Sequence, residues 1–255
     1  MIDYQQALQA VLDAAQCTQS SEYVVLKHAQ DRICAAAQAS PIAVPGFANS
    51  AMDGYAVQST GLESGKSYPI SQRIAAGDVA QSLTPNTVAR IFTGAMMPSN
   101  ADAVVIQEDS RIAEDGVSIV FDTVPQQGDN VRPAGDDLQL NQMLLQRGER
   151  IKSAHLGLLA SAGIERVFCY RPLRIAFFST GDELVDPGAP LKPGQIYNSN
   201  RVALQAEMKR LGADVIDMGI CPDSAAATAE FLQSACAQAD CVISTGGMSV
   251  GEEDH

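Results

Sequence analysis

The chain has 255 residues, room for two or three domains rather than one. Seventeen basic residues against 30 acidic ones give a formal charge of −13, the opposite of the basic footprint that a nucleic-acid surface needs. Aromatic residues make up 5% of the chain and Trp is absent, so the cores must be aliphatic, and the surplus carboxylates are available as ligands for a hard cation.

Six cysteines (Cys17, Cys34, Cys169, Cys221, Cys236, Cys241) and three histidines show neither a C-x-x-C pair nor zinc-ligand spacing. They read as reduced thiols of a cytoplasmic protein. The start, MIDYQQALQAVLDAA, has no basic cluster and no apolar run, which excludes a signal peptide. No apolar stretch of about 18 residues offers a membrane span.

In chain order, Tyr4, Ala7, Leu8, Val11 and Leu12 recur at helical spacing behind Asp3, an N-cap with Gln6 placed for a capping box. The following EYVVLKHAQDRICAAAQAS is mixed, and Pro41 and Pro45 end it in extended chain. Between about Phe47 and Asp137, short alternating runs such as ADAVVIQ and GVSIVF sit between frequent turn signals, the texture of a small β domain. Ser153 opens a helix through Leu156 and Leu159 that Gly163 can end.

The last segment changes rhythm. LRIAFFST is a strand, and NRVALQAEMKRLG a helix with Leu204, Met208 and Leu211 on one face, Asn200 as cap and Gly212 as stop. ADVIDMGI is a strand, DSAAATAEFLQSACAQA a helix, DCVISTGG a strand. That alternation predicts a parallel sheet with right-handed crossovers, and with three strands and two helices it reads as an incomplete one.

The first and third of these strands end alike. One runs Ser179-Thr180-Gly181 into Asp182 and Glu183; the other runs Ser244-Thr245-Gly246-Gly247 into Ser249, Glu252, Glu253 and Asp254. Ligands of open parallel sheets bind beyond the carboxyl ends of the strands. Glycines admit a close approach, and hydroxyls and loop amides hold phosphate oxygens. The acids would repel a bare phosphate, and they make sense if Mg²⁺ sits between. The bland account is a pair of ordinary strand–turn–helix junctions whose acids are N-caps. In the β segment, NSAMDGYAV and RIFTGAMMPSNADAVV read locally as tight turns entering strands.

Five blocks taken together, PGFANSAMDGYAV, RIFTGAMMPSNADAVVIQE, VRPAGDDL, STGDELVDPG…IYNSN and STGGMSVGEEDH, resemble the MoeA-type molybdopterin molybdenumtransferases, which include the C-terminal part of gephyrin. The resemblance implies a multidomain α+β chain. An elongated mixed domain (1–46 and 138–168) carries an inserted β domain (47–137). An incomplete doubly wound α/β domain that binds molybdopterin (169–255) follows, and a C-terminal β domain of the family is absent. It also implies a homodimer whose active cleft lies between the α/β domain of one subunit and the β domain of the other. The implied substrates are molybdate and adenylylated molybdopterin, with Mg²⁺, and the product side includes AMP. A shortened chain is then expected to show weak or no turnover.

Carried over by motif, the catalytic residues are Asp53, Thr93, Asp137 and Glu183. The substrate-binding set is Ser50, Gly94, Ser179, Thr180, Gly181, Asp182, Asn198, Ser199, Ser244, Gly246, Gly247 and Ser249, and Asp223 and Asp254 go to the metal. Glu183 stays open between metal ligand and contact to pterin or nucleotide. Two departures stand out: Asp136-Asp137 where the family has Glu-Asp, and Pro222, with neither carboxylate nor N–H, where the family commonly has an acid. Two other readings compete: an adenylyltransferase or nucleotide-pyrophosphate hydrolase, which would lack the β blocks, and a scaffold, for which no receptor-binding feature is visible.

Overall fold

A computed structural model describes residues 2–15 and 20–246. In chain order these form α1 (Tyr4–Ala14), β1 (Ser21–Val25), β2 (Gln38–Ala39), β3 (Asn49–Ser50), β4 (Gly54–Val57) and β5 (Ser67–Ile74). Then come β6 (Val88–Ile91), β7 (Ala103–Ile106), β8 (Ser110–Ile112), β9 (Ser118–Phe121), β10 (Val131–Arg132) and β11 (Met143–Leu145). After α2 (Ser153–Ser161) follow β12 (Arg166–Tyr170), β13 (Arg174–Thr180), β14 (Leu184–Val185), β15 (Ile196–Tyr197), α3 (Ser199–Arg210), β16 (Asp214–Cys221), α4 (Ala225–Gln238) and β17 (Cys241–Thr245). The chain is a multidomain α+β protein that packs as two compact units: Ala37–Leu145 with Gly157–Glu165, and the remainder.

The first of these units is built on a six-stranded sheet in the order β7-β4-β6-β5-β9-β8. Period-two alternation sends Ala56, Ala89, Ile91 and Val104 into one cluster with Ile74 and Leu83, and Val57, Val88 and Val105 into another with Tyr68 and Phe121. β5 and β6 run parallel inside this otherwise antiparallel sheet.

In the other unit, β13 is central, with β16 and β17 parallel to it on either side. Its side chains alternate between helices. Ile175 and Phe177 pack with Met208 of α3, while Phe178 meets Phe231 of α4 edge-on at 5.5 Å. The two helices therefore cover opposite faces, as right-handed crossovers in the order β16-β13-β17 require. A separate antiparallel pair, β1 with β12, belongs to the same unit.

Helix ends follow local chemistry, with one correction. Asp3 caps α1 by accepting the N–H groups of Gln5 and Gln6. Gly163 and Gly212, at φ 74° and 92°, end α2 and α3 in paired 6→1 and 5→2 bonds, Ile164 to Leu159 with Gly163 to Ala160, and Ala213 to Met208 with Gly212 to Lys209. The cap of α3 is Asn198, whose side chain accepts the Arg201 N–H, and not Asn200, which lies inside the helix. Leu211, expected on the core face with Leu204 and Met208, is the C-terminal cap residue beyond the helix and is 56% exposed. None of α1 is buried, although its apolar spacing predicts a covered stripe.

Candidate substrate site at the strand ends

In a doubly wound sheet of order 2-1-3 the crevice between the first and third strands is the topological switch point, where ligands bind. Here that crevice lies between the carboxyl ends of β13 and β17, where the two Ser-Thr-Gly runs stand. A groove of about 200 Å³ opens there, lined among others by Thr180, Glu183, Asn198, Ser199, Thr245 and Gly246.

Hydroxyls tie the two strand ends together. Thr245 Oγ1 donates to Ser179 Oγ at 3.0 Å, and Thr180 Oγ1 donates to the Thr245 carbonyl at 3.4 Å. The loops also approach too closely for side chains. A Cβ on Gly246, at φ 96°, would collide with the carbonyl and hydroxyl of Thr180, and one on Gly181, at φ 142°, would collide with the Glu183 carboxylate. Ser179 is fully buried and donates to Asn198 Oδ1 at 3.4 Å. Asn198 Nδ2 is buried without a hydrogen-bond partner. A buried amide left unpaired costs about 1–3 kcal/mol, so Nδ2 is a donor that suits an acceptor of a bound ligand. Ser199 and Ser244 are exposed, as is Glu183.

Two carboxylates meet beside the groove. Asp182 N–H donates to Asp223 Oδ2, and Asp223 N–H to Asp182 Oδ1, both at 3.2 Å. Each acid thus holds the other's backbone, and among the described residues no Lys or Arg pairs with either. Two acids without a counter-cation suit Mg²⁺, which takes one or two carboxylates and completes its shell with water and phosphate oxygens. No group of three acidic, His or Cys side chains poised for a metal occurs among the described residues. Gly247, Ser249 and Asp254, expected in the β17 loop, lie outside the described residues.

A second cluster sits in the six-stranded unit. Asp53 Oδ1 accepts both the backbone N–H and the hydroxyl of Thr93, each at 2.8 Å. These bonds, the N–H first and the hydroxyl next, and then the Arg90 charge, hold the Asp53 carboxyl below the usual range. Gly94, exposed at φ 78°, donates its N–H to the Ser50 carbonyl at 2.8 Å. The Ser50 hydroxyl is buried and donates to the Met52 carbonyl, building the turn that presents Asp53. Asp137 is exposed with its N–H on the Val44 carbonyl, and among the described residues nothing bonds it to the Asp53–Thr93 pair.

Residues 2–163 match the profile described as the MoeA N-terminal region, domains I and II. The chain belongs to the MoeA family. Residues 176–255 of this MoeA-family chain match a probable molybdopterin binding domain. It is 42% identical over 255 residues to the molybdopterin molybdenumtransferase of Haemophilus influenzae, covering 100% of this chain and 63% of the relative. Against that of Nostoc sp. it is 42% identical over 243 residues, 93% of this chain and 55% of the relative. A crystal structure of the molybdopterin biosynthesis MoeA protein of Pyrococcus horikoshii superposes with a TM-score of 0.86 at 31% identity, covering 96% of this chain and 63% of that one. The MoeA-family chain thus spans less than two thirds of the length of the relatives it matches.

Sequence reasoning missed the surroundings of Asp53. Arg90 stacks over the rings of Tyr55 and Phe92, at 5.0 and 4.7 Å, and donates to the Gly54 carbonyl and to Gln107 Oε1. It therefore grips the residue after Asp53 and the residue before Thr93. The signal was present in the alternation of β4 and β6, but only their pairing puts Tyr55 opposite Arg90. Arg201 was missed as well; it bridges Asp186 and Asp217, at 2.6 and 2.9 Å, just behind the groove.

Proposed function

We propose that this chain is the greater part of a molybdopterin molybdenumtransferase, an enzyme of molybdenum cofactor biosynthesis that inserts molybdate into adenylylated molybdopterin and releases AMP. The observation that carries this reading is the convergence of the β13 and β17 loops, the orphaned Asn198 amide and the Asp182–Asp223 pair at one switch point. The names of the relatives support the choice of substrate.

In this reading Thr180, Ser244 and the loop amides at Gly181, Gly246 and Gly247 hold phosphate oxygens, with Ser249 beside them. Asn198 and Ser199 meet the pterin or the nucleotide. Asp182, Asp223 and Asp254 hold Mg²⁺, and Glu183 joins either the metal or the pterin. Held there, Mg²⁺ would supply positive charge to neutralise the phosphate oxygens of the anhydride. Asp53, kept ionised by Thr93, positions the attacking oxygen, with Ser50 and Gly94 shaping its turn and Asp137 as a further acid. The protein acts in the cytoplasm as a homodimer, in which the Asp53 cluster of one subunit serves the strand-end groove of its partner. The three-part division at 1–46 with 138–168, 47–137 and 169–255 belongs to the same proposal; it is supported by the separate β1–β12 pair, six-stranded sheet and parallel sheet.

The test is equilibrium binding of molybdopterin-AMP to the chain under anaerobic conditions. Binding is expected to need Mg²⁺ and to weaken at least tenfold in Asp223→Asn. Equal affinity in chelator and in the variant would refute the metal site. In the full-length enzyme, Asp53→Ala is expected to lower molybdenum insertion at unchanged circular dichroism.

A further inference from the structure

Cys34 and Cys169 play no part in the chemistry above. Both are buried, at 1% and 0% exposure. They oppose one another in an antiparallel bridge between the segment around Cys34 and β12. The hydrogen bonds decide which kind of bridge this is. Ala35 N–H donates to the Phe168 carbonyl at 2.8 Å, and Tyr170 N–H donates to the Ile33 carbonyl at 2.9 Å. These bonds flank the cysteine pair instead of joining it. The Cys34 N–H and carbonyl turn away, to Glu149 and Gly148. That is the narrow, non-hydrogen-bonded register, in which opposed Cα atoms stand about 4.5 Å apart and side chains come closest. The same separation falls within the range that a disulfide spans, about 4.4–6.8 Å.

At present the Cys34 thiol donates to the Ala36 carbonyl at 2.8 Å, a local contact that a χ1 rotation releases. Burial holds both thiols above the ordinary cysteine range, and the Cys34 sulfur lies close enough to act on Cys169 in the same direction.

We propose that Cys34 and Cys169 form a reversible cross-strand disulfide site. The oxidant is a small neutral peroxide, which reaches a buried thiol more readily than bulky or charged reagents do, and reduction by a larger dithiol is correspondingly slower. One thiol gives up its proton as its sulfur takes an oxygen from hydrogen peroxide, becoming a sulfenic acid, and the displaced hydroxide leaves with that proton as water. The second thiol, losing its proton, attacks that sulfur, the S–S bond forms and the S–O bond breaks, and the hydroxide leaves with the second proton as another water. Two thiols are oxidised, one peroxide is reduced to two waters, and an external dithiol reverses the step by exchange. The site's place in the chain gives the bond its effect. The chain departs for the six-stranded sheet after Cys34 and is back before Cys169, so one covalent link brackets the whole excursion.

The experiment treats the reduced native protein with hydrogen peroxide, denatures it, alkylates free thiols and maps peptides. The expected result is a peptide pair joined through Cys34 and Cys169, lost on treatment with dithiothreitol and absent from Cys34→Ser and Cys169→Ala. The exposed Cys236 and Cys241 serve as internal reporters of accessible thiol. Oxidised protein nicked by protease between residues 37 and 145 should run as one covalent species without reductant and as two with it. Full alkylation of Cys34 and Cys169 after peroxide, their conversion to sulfinic acid without a link, or links confined to other cysteines would each overturn the proposal.

Discussion

Asp53 shows how much a single turn can set. Its Oδ1 receives two donors from one residue, and the backbone N–H contributes more than the hydroxyl. Thr93→Val removes only the smaller share. Its expected effect is a partial rise of the Asp53 titration toward the ordinary carboxylate value, followed by carbon-13 NMR of the side chain. Arg90→Gln should raise it less, because the guanidinium acts through space and is screened at an exposed surface. A larger shift from Arg90→Gln than from Thr93→Val would reverse this order of causes. The neighbouring Gly54 is fixed by packing, since a Cβ there would collide with the Val105 carbonyl. Gly54→Ala forces β4 and β7 apart and should cost about 1–3 kcal/mol, read from the urea midpoint.

At the scale of elements, the parallel sheet depends on one strand. Five consecutive residues of β13 are buried, and alternate ones serve α3 and α4. Phe178→Ala empties a site against α4 and should cost about 3–5 kcal/mol. Arg201 does a different task. From the first turn of α3 it reaches Asp217 on β16 and Asp186 after β14, tying a strand, a helix and a loop behind the groove. Arg201→Met keeps the stem and drops the fork. It should leave the fold intact, loosen the loop after Val185 as seen in amide exchange, and weaken molybdopterin-AMP binding.

For the whole molecule, acid is the sensitive variable. Glu22, Asp53, Asp115, Glu207 and Asp217 all have carboxyls held below their ordinary range, the first by Arg32 and the second by Thr93. For Asp217, burial is the largest single cause and acts upward, and the hydrogen bonds from Arg201, Gln205 and the Gly219 N–H, with the Arg201 charge, together more than offset it. A depressed folded value means that the unfolded chain binds protons first as pH falls. The stability these groups contribute is complete above about pH 5 and drains away below the ordinary carboxylate values near pH 4. Thermal midpoints should be flat from pH 7 to 5 and fall steeply toward pH 3; a midpoint rising on acidification would contradict the assignment.

The strand–helix alternation after residue 173 was legible because each element carries its own period and stop. Both Ser-Thr-Gly junctions were legible for the same reason. The cap of α3 was not, since Asn198 and Asn200 offer the same chemistry and only the short β15 before the helix decides between them. The exposed face of α1 escaped as well: periodicity reports a stripe, and says nothing about what covers it. The Arg90 clamp and the cysteine register depend on which strands become neighbours, information that a single strand does not hold.

Where the chain sets out toward the six-stranded sheet and where it comes back, β2 and β11 lie paired, Gln38 opposite Leu145 and Ala39 opposite Met143. More than a hundred residues of wiring thus begin and finish at one spot. Entry and exit side by side suit such a cassette to gain, loss or exchange by recombination with a short splice, with Gly157–Glu165, which pack in the same unit, as the flanking part that must adapt.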